Sequence, residues 1–286
     1  MTEAEPIHFI TDSTADQTQE LVKKYHIDVV QARVVFDEQG QKKEYVEGAT
    51  ITREEFLAKI RESIPTTAIP GLQPYEEIYA AHPESIIVMP ASKEKTRFYD
   101  YAEAAARATN RQNIKLIDTG TTSMGITFAL REGLRLANNP EHSYSQDEIV
   151  EKLNEYLTRT FVFAYLDTME YVKKGGRAKE AFASYIGTAF KLKPVILIKD
   201  NVISLAGIPQ RTQSKSMEIL INAVTKHAPY EELAVVYADN PDMAKKVAGQ
   251  LGTTIKGTKP EIVEVNMGVF CHIGPGAIGV CLVQAK

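Results

Sequence analysis

The feature that most limits how this chain can fold is a repeated rhythm: a short apolar run, a polar loop, then a stretch with helical periodicity. His8-Phe9-Ile10 runs into Thr11-Asp12-Ser13-Thr14, and then into a segment with Leu21, Val22 and Tyr25 on one side. Ile27 to Phe36 reads as a second strand. Thr52-Arg53-Glu54-Glu55 is a capping box that opens a helix carrying Phe56, Leu57 and Ile60. The segment from Pro65 to Gly71 breaks the pattern, and Pro74 suits the first turn of the next helix. Ile86-Ile87-Val88-Met89 is apolar at every position, as in a strand buried on both faces. A helix from Phe98 to Thr109, a strand from Ile114 to Ile117 and a helix through Met124, Phe128 and Leu134 continue the alternation. The pattern predicts a doubly wound α/β unit with a mainly parallel sheet.

The second half changes character. Ser145-Gln146-Asp147-Glu148 caps a helix with Ile149, Leu153 and Leu157 along it. Strands are then expected over Phe161 to Leu166, Val195 to Ile198 and Val202 to Leu205, the last two joined by Lys199-Asp200-Asn201 in an antiparallel hairpin. Helices over Thr212 to Val224 and Asp242 to Leu251 flank a strand from Leu233 to Tyr237, and strands over Glu261 to Val265 and Ile278 to Val283 close the chain. The expected organisation is an N-terminal α/β lobe over residues 1–158 and a C-terminal α+β lobe, with a mainly antiparallel sheet, over 159–286.

Charge and composition exclude some classes of function. A formal net charge of −4 over 286 residues argues against a nucleic-acid binder, which shows a basic stripe with interleaved aromatics. Lys173, Lys174, Arg177 and Lys179, then Lys191 and Lys193, form only short basic clusters, either a solvated helix end or a docking patch. No apolar run nears the roughly 20 residues of a membrane span. The opening Met1-Thr2-Glu3-Ala4-Glu5 is acidic where a signal peptide is basic, so a cytoplasmic location is expected, leaving transient membrane contact open. Cys271 and Cys281 read as buried reduced thiols.

Chemistry is expected beyond the carboxyl ends of the first-half strands, where an open parallel sheet places its ligand crevice. Those loops are rich in hydroxyls: Thr11, Ser13 and Thr14; Ser92 and Thr96; Thr119, Thr121, Thr122 and Ser123. They serve either as an anion cradle or as helix caps. Arg177 follows a glycine pair that leaves its guanidinium free for a carboxylate or phosphate. His272, with Gly274, Gly276 and Gly279 after it, suggests a ring nitrogen held close to bare backbone. No Walker loop, dinucleotide fingerprint, nucleophile elbow or His-Glu-x-x-His is present, and the six histidines lack ligand spacing, so neither cofactor nor metal is expected. Asp12, Asp118 and Asp167 each follow an apolar strand, where an aspartate usually bonds the next loop's amides. One reading of this set is a small-substrate enzyme with His272 as general base.

The chain also resembles the DegV family of bacterial fatty-acid-binding proteins. Thr11-Asp12-Ser13-Thr14, Pro65-Thr66-Thr67, Lys173-Lys174-Gly175-Gly176-Arg177 and His272-Ile273-Gly274-Pro275-Gly276-Ala277 occur in the family's order across nearly the whole chain. The resemblance implies two lobes with a buried long-chain fatty acid between them. It also implies a carrier without catalysis of its own, which presents the acid to a separate ATP-dependent fatty acid kinase for acyl phosphate formation and phospholipid synthesis. By the same resemblance Thr67 and His272 hold the carboxylate, Arg177 belongs to the head-group region with Ser13, Gly274 and Gly276, and Arg211 lies on a basic stretch suited to kinase docking. One loop departs from the family's Ser-Ser-x-x-Ser-Gly-Thr: here it is Ala91-Ser92-Lys93-Glu94-Lys95-Thr96-Arg97. Lys95 stands where the carboxylate-binding serine belongs, so either its ammonium pairs with the acid or Thr96 serves, with Ser92 alongside. Ala68-Ile69-Pro70-Gly71 likewise replaces the usual Ser-Gln-Pro-Ser.

Overall fold

A computed structural model describes residues 6–16, 19–175, 182, 192–255 and 259–286. Its first half runs β1 (Ile7–Asp12), α1 (Gln19–Tyr25), β2 (Asp28–Val30), β3 (Arg33–Glu38), β4 (Gln41–Tyr45), α2 (Arg53–Lys59), β5 (Thr66–Ala68), α3 (Gln73–Ala81), β6 (Ser85–Met89), α4 (Phe98–Thr109), β7 (Ile114–Leu116), α5 (Met124–Ala137) and α6 (Gln146–Thr158). The second half runs β8 (Thr160–Tyr165), α7 (Glu170–Gly175), β9 (Val195–Lys199), β10 (Val202–Leu205), α8 (Gln213–Thr225), β11 (Tyr230–Tyr237), α9 (Pro241–Thr254), β12 (Glu261–Glu264), α10 (Met267–Ile273) and β13 (Ile278–Gln284).

Two sheets and the helices between them make the layers. The first sheet is parallel throughout, in the order β2-β1-β6-β7. The second has the order β10-β9-β8-β13-β11-β12, antiparallel except for the β11–β12 pair. Side chains alternate across both, as a period of two requires. Phe9, Ile87 and Met89 face the central core, whereas Ile10, Ile86 and Val88 pack with Tyr75, Tyr79 and Phe98 of α3 and α4. In the second sheet Val162, Ala164 and Cys281 face the same central core, while Phe161, Val280 and Leu282 meet Leu220 of α8 and Leu251 of α9.

Helix α5 occupies the middle, against β1 on one side and β8, β11 and β13 on the other. Its run from Met124 to Leu130 is wholly buried, as fits helical turns packed on every side. Gly133 allows the close approach: a Cβ there would lie 2.7 Å from the Phe9 ring. One core cluster therefore takes residues from both halves of the chain.

Most of the local readings hold because their causes are local. Thr52 and Glu55, and Ser145 and Glu148, exchange the reciprocal bonds of capping boxes, and a proline opens α3. Asp200 and Asn201 both have positive φ, at 49° and 67°, which suits the tight β9–β10 turn. Two readings are corrected. Ile27 to Phe36 is not one strand: β2 stays beside β1, while β3 leaves to form a third, antiparallel sheet in the order β4-β3-β5. The 65–71 segment is not only a break, since β5 lies within it and pairs Thr67 with Val34.

Candidate functional site

The loops after β1, β7 and β8 are tied to their neighbours by carboxylates, of which that of Asp12 is buried. Asp12 Oδ1 accepts from the Thr14 amide at 2.8 Å and the Thr14 hydroxyl at 2.5 Å, and Oδ2 accepts from the Ala91 amide at 2.7 Å. Asp118 accepts from the Lys93 amide at 3.1 Å and from Asn201 Nδ2 at 2.7 Å. Asp167 accepts from Lys193 Nζ at 2.5 Å and from the Tyr165 hydroxyl. Asp167 bonds two side chains, whereas Asp12 and Asp118 bond loop amides as well. Asp16 does the same between α5 and α10, accepting from Ser123 Oγ and from the Asn266 amide at 2.8 Å. Burial raises its carboxyl to about 6 against those lowering bonds.

Behind these loops lies an apolar cavity with about 760 Å³ of atom-free space, mouth included. Leu166, Val172, Ile196, Ile198, Ile203 and Ile273 supply its greasy wall, from the residue after β8 and from α7, β9, β10 and α10. Thr14, Ser92, Lys95, Thr96, Thr121 and His272 supply its polar atoms. Lys95 and Thr96 also line an outer groove that contains Thr67, so they stand between cavity and surface.

At that end, His272 Nε2 and Thr67 Oγ1 lie 3.1 Å apart, joined by a hydrogen bond across 205 residues of sequence. Thr67 is held by the β3–β5 pairing. His272 sits in the last turn of α10, a helix capped by Asn266, whose side chain accepts from the Val269 amide at 2.9 Å. The bare backbone beside this histidine is not its own glycine-rich tail but Gly175 at the end of α7, where a Cβ would lie 2.8 Å from His272 Nδ1. Gly274, with φ +75°, turns the chain out of α10 against Tyr171. Gly276 donates its amide to Asp239 Oδ1 at 2.8 Å and lines a separate polar cleft.

The other residues that the sequence singled out divide clearly by position. Lys95 is half-buried, and among the described residues no carboxylate lies within 4.0 Å of its ammonium; its neighbours Lys93 and Arg97 pair with Asp118 at 3.9 Å and Asp100 at 3.6 Å. Thr96 Oγ1 accepts from the Phe98 amide at 3.2 Å. Ser92 is buried and donates its hydroxyl to Asn201 Oδ1, and so holds the β9–β10 hairpin over the cavity. Ser13 accepts from the Ala32 amide at 2.8 Å and lines a different groove, whereas its neighbour Thr14 reaches the cavity. Arg211 is exposed before α8, and Arg177 lies outside the described residues. Sequence reasoning did not single out Asn201 for the site and marked Gly175 only as part of the Lys173–Arg177 motif; both reach it only through long-range docking.

An apolar cavity with a histidine and a lysine in its lining, and a threonine bonded to that histidine, defines an α/β protein with an internal site. The chain belongs to the DegV family, whose family model, described as "uncharacterised protein, DegV family", matches residues 6–285. A DegV domain-containing protein of Clostridium acetobutylicum is 25% identical over 293 residues, covering 98% of this chain and 99% of that protein. One from Streptomyces coelicolor is 27% identical over 283 residues, covering 96% and 97%. Among solved structures, DegV from Bacillus subtilis, described as a fatty acid binding protein, has a TM-score of 0.82 at 24% identity, covering 99% of this chain and 100% of that one. A fatty acid binding DegV family protein from Streptococcus agalactiae has a TM-score of 0.85 at 19% identity, with coverage of 99% and 100%. These structures share the fold. No helix among the described residues is long and apolar enough to cross a membrane.

Proposed function

We propose that this chain binds a long-chain fatty acid in the cavity and presents its carboxylate to a separate ATP-dependent fatty acid kinase, with residues 1–158 and 159–286 as the two lobes that enclose it. The observation that carries this reading is the Thr67–His272 hydrogen bond at the end of an apolar cavity. A carboxylate leaving water needs donors to offset its desolvation. When His272 Nε2–H donates to Thr67 Oγ1, the threonine hydroxyl proton is released for a carboxylate oxygen. Lys95 supplies a positive charge with no ion-pair partner among the described residues, and Thr96 stands beside it. Ser92 acts one step back, by holding Asn201 and the hairpin wall. Arg177 is assigned to the head-group region, Gly274 and Gly276 to the turn that sets His272, and Arg211 to the surface facing the kinase.

Mass spectrometry of an organic extract of the denatured protein tests the ligand: a C16 or C18 acid is expected. Protein that carries no acyl chain and takes up neither palmitate nor oleate refutes the reading. The kinase role is tested separately, by adding ATP with and without a fatty acid kinase catalytic subunit to oleate-loaded protein. Acyl phosphate is expected only with the subunit, and its appearance with ATP alone would make this chain the enzyme.

A further inference from the structure

The end of the first sheet remote from the cavity carries a second constellation. The parallel register places His8, early in β1, beside Ile86 of β6, and Asp28, the first residue of β2, beside Ile10. His82 follows α3 and enters from the loop before β6. His8 Nε2 lies 2.8 Å from Asp28 Oδ2, and His82 Nε2 lies 3.1 Å from the same oxygen. Spacing along the chain shows no ligand pattern among these histidines; strand pairing assembles one.

We propose that His8, Asp28 and His82 bind a divalent transition-metal ion, with zinc the best match. Two imidazole nitrogens and one carboxylate oxygen, all within 4.8 Å of one another, are a donor set suited to such an ion. Glu84 completes the arrangement, since its Oε1 lies 2.8 Å from His82 Nδ1. A carboxylate on the far nitrogen is the usual outer partner of a metal-bound histidine, because it fixes the tautomer and turns the ring. Nε2, the nitrogen left for the ion, lies 3.1 Å from Asp28 Oδ2.

The backbone that carries His82 and Glu84 is already fixed. Arg111 donates to the carbonyls of Tyr79 at 2.7 Å, His82 at 2.8 Å and Glu84 at 2.7 Å. Ligands at about 2.0–2.2 Å around a tetrahedral ion lie about 3.3–3.6 Å apart, so Asp28 Oδ2, now 2.8 and 3.1 Å from the two nitrogens, must retreat by a few tenths of an ångström. The two rings, now stacked at 3.5 Å and 10°, must also turn so that their lone pairs converge. His82 and Asp28 side chains are 27% and 38% exposed, which gives them room to turn and leaves an outward position for water. Placed opposite the cavity, the ion would tie β1, β2 and the α3–β6 loop together as a structural clasp.

Tag-free protein, stripped with a chelator and dialysed, is titrated with zinc chloride by calorimetry and with cobalt(II) by visible absorption. One ion per chain is expected, together with a raised Tm. His82→Gln and Asp28→Asn, both at half-exposed positions, are expected to weaken binding more than about tenfold, and Glu84→Gln by about 10- to 100-fold. Oleate uptake is expected to be indifferent to zinc. Absence of saturable binding, or binding untouched by His82→Gln and Asp28→Asn, overturns the proposal and leaves a proton between His82 and Asp28.

Discussion

Gly175→Ala separates the site from the fold better than any substitution at the site itself. An added Cβ would lie 2.8 Å from His272 Nδ1 and 3.6 Å from Cε1, where ordinary contact begins at 3.4 Å. The imidazole must retreat by about 0.6 Å, from 2.8 to 3.4 Å. On its other edge Thr67 Oγ1 holds it at 3.1 Å, so the retreat breaks or distorts that bond. A hydrogen bond to a charged group is worth about 1.5–3 kcal/mol, which corresponds to about 10- to 150-fold in affinity for a carboxylate. Helical backbone gains up to about 1 kcal/mol when alanine replaces glycine, and Gly175 does not need the left-handed region. Oleate affinity should therefore fall while Tm stays level or rises. Calorimetric titration of delipidated protein reads the first and thermal denaturation the second. In a His272→Ala background the same change should cost nothing further. Undiminished oleate affinity in Gly175→Ala, or an equal loss without the histidine, would refute the steric argument.

Lys95→Ala should weaken oleate binding by at least about tenfold, the scale of one charge-assisted bond, and leave the fold intact; unchanged affinity removes Lys95 from the site. Across a series of saturated acids, each methylene added within the cavity should strengthen binding about fourfold, from about 0.8 kcal/mol per buried CH₂, until the chain outgrows its tunnel. A flat series from C12 to C16 would contradict an apolar tunnel. Asp16 gives a pH signature. Its carboxyl is raised from 3.8 to about 6 in the folded protein, so the fold binds that proton more tightly than the unfolded chain does. Its contribution is greatest below about pH 3.8 and is lost as pH rises through about 6, by up to about 3 kcal/mol. Asp16→Asn keeps an acceptor for Asn266 and a donor for Ser123. Urea denaturation should find it more stabilising, relative to the parent, at pH 7.5 than at pH 4; a difference independent of pH would show that the carboxyl is not shifted.

The parts of this fold that could be read from sequence are those with local causes. Both capping boxes, the Pro74 helix start and the apolar Ile86–Met89 run of β6 depend on residues a few positions apart. The Ile27–Phe36 run looks continuous because its apolar positions are; it divides only because β3 finds partners in β4 and β5. The seven-residue α10 is too short to announce itself and depends on its Asn266 cap and on packing against α7, β3 and β5. For the candidate site, that Thr67 and His272 are neighbours was legible through family resemblance. The glycine next to the histidine was not, because the contact comes from α7 rather than from the following residues. The resemblance placed Ser13 rather than Thr14 in the head-group region, yet it is Thr14 that lines the cavity, while Ser13 lines another groove.

The Thr67–His272 bond joins residues 205 positions apart, one from the small β4-β3-β5 sheet and one from a helix of the second half. Closing so long a loop costs entropy that no local segment repays, so the contact belongs among the last to form. Occupancy of the cavity is therefore a gauge of assembly: a ligand gripped there favours only molecules whose halves have finished docking. On the proposed function, substitutions along the seam should register first as loss of bound ligand and only later as unfolding.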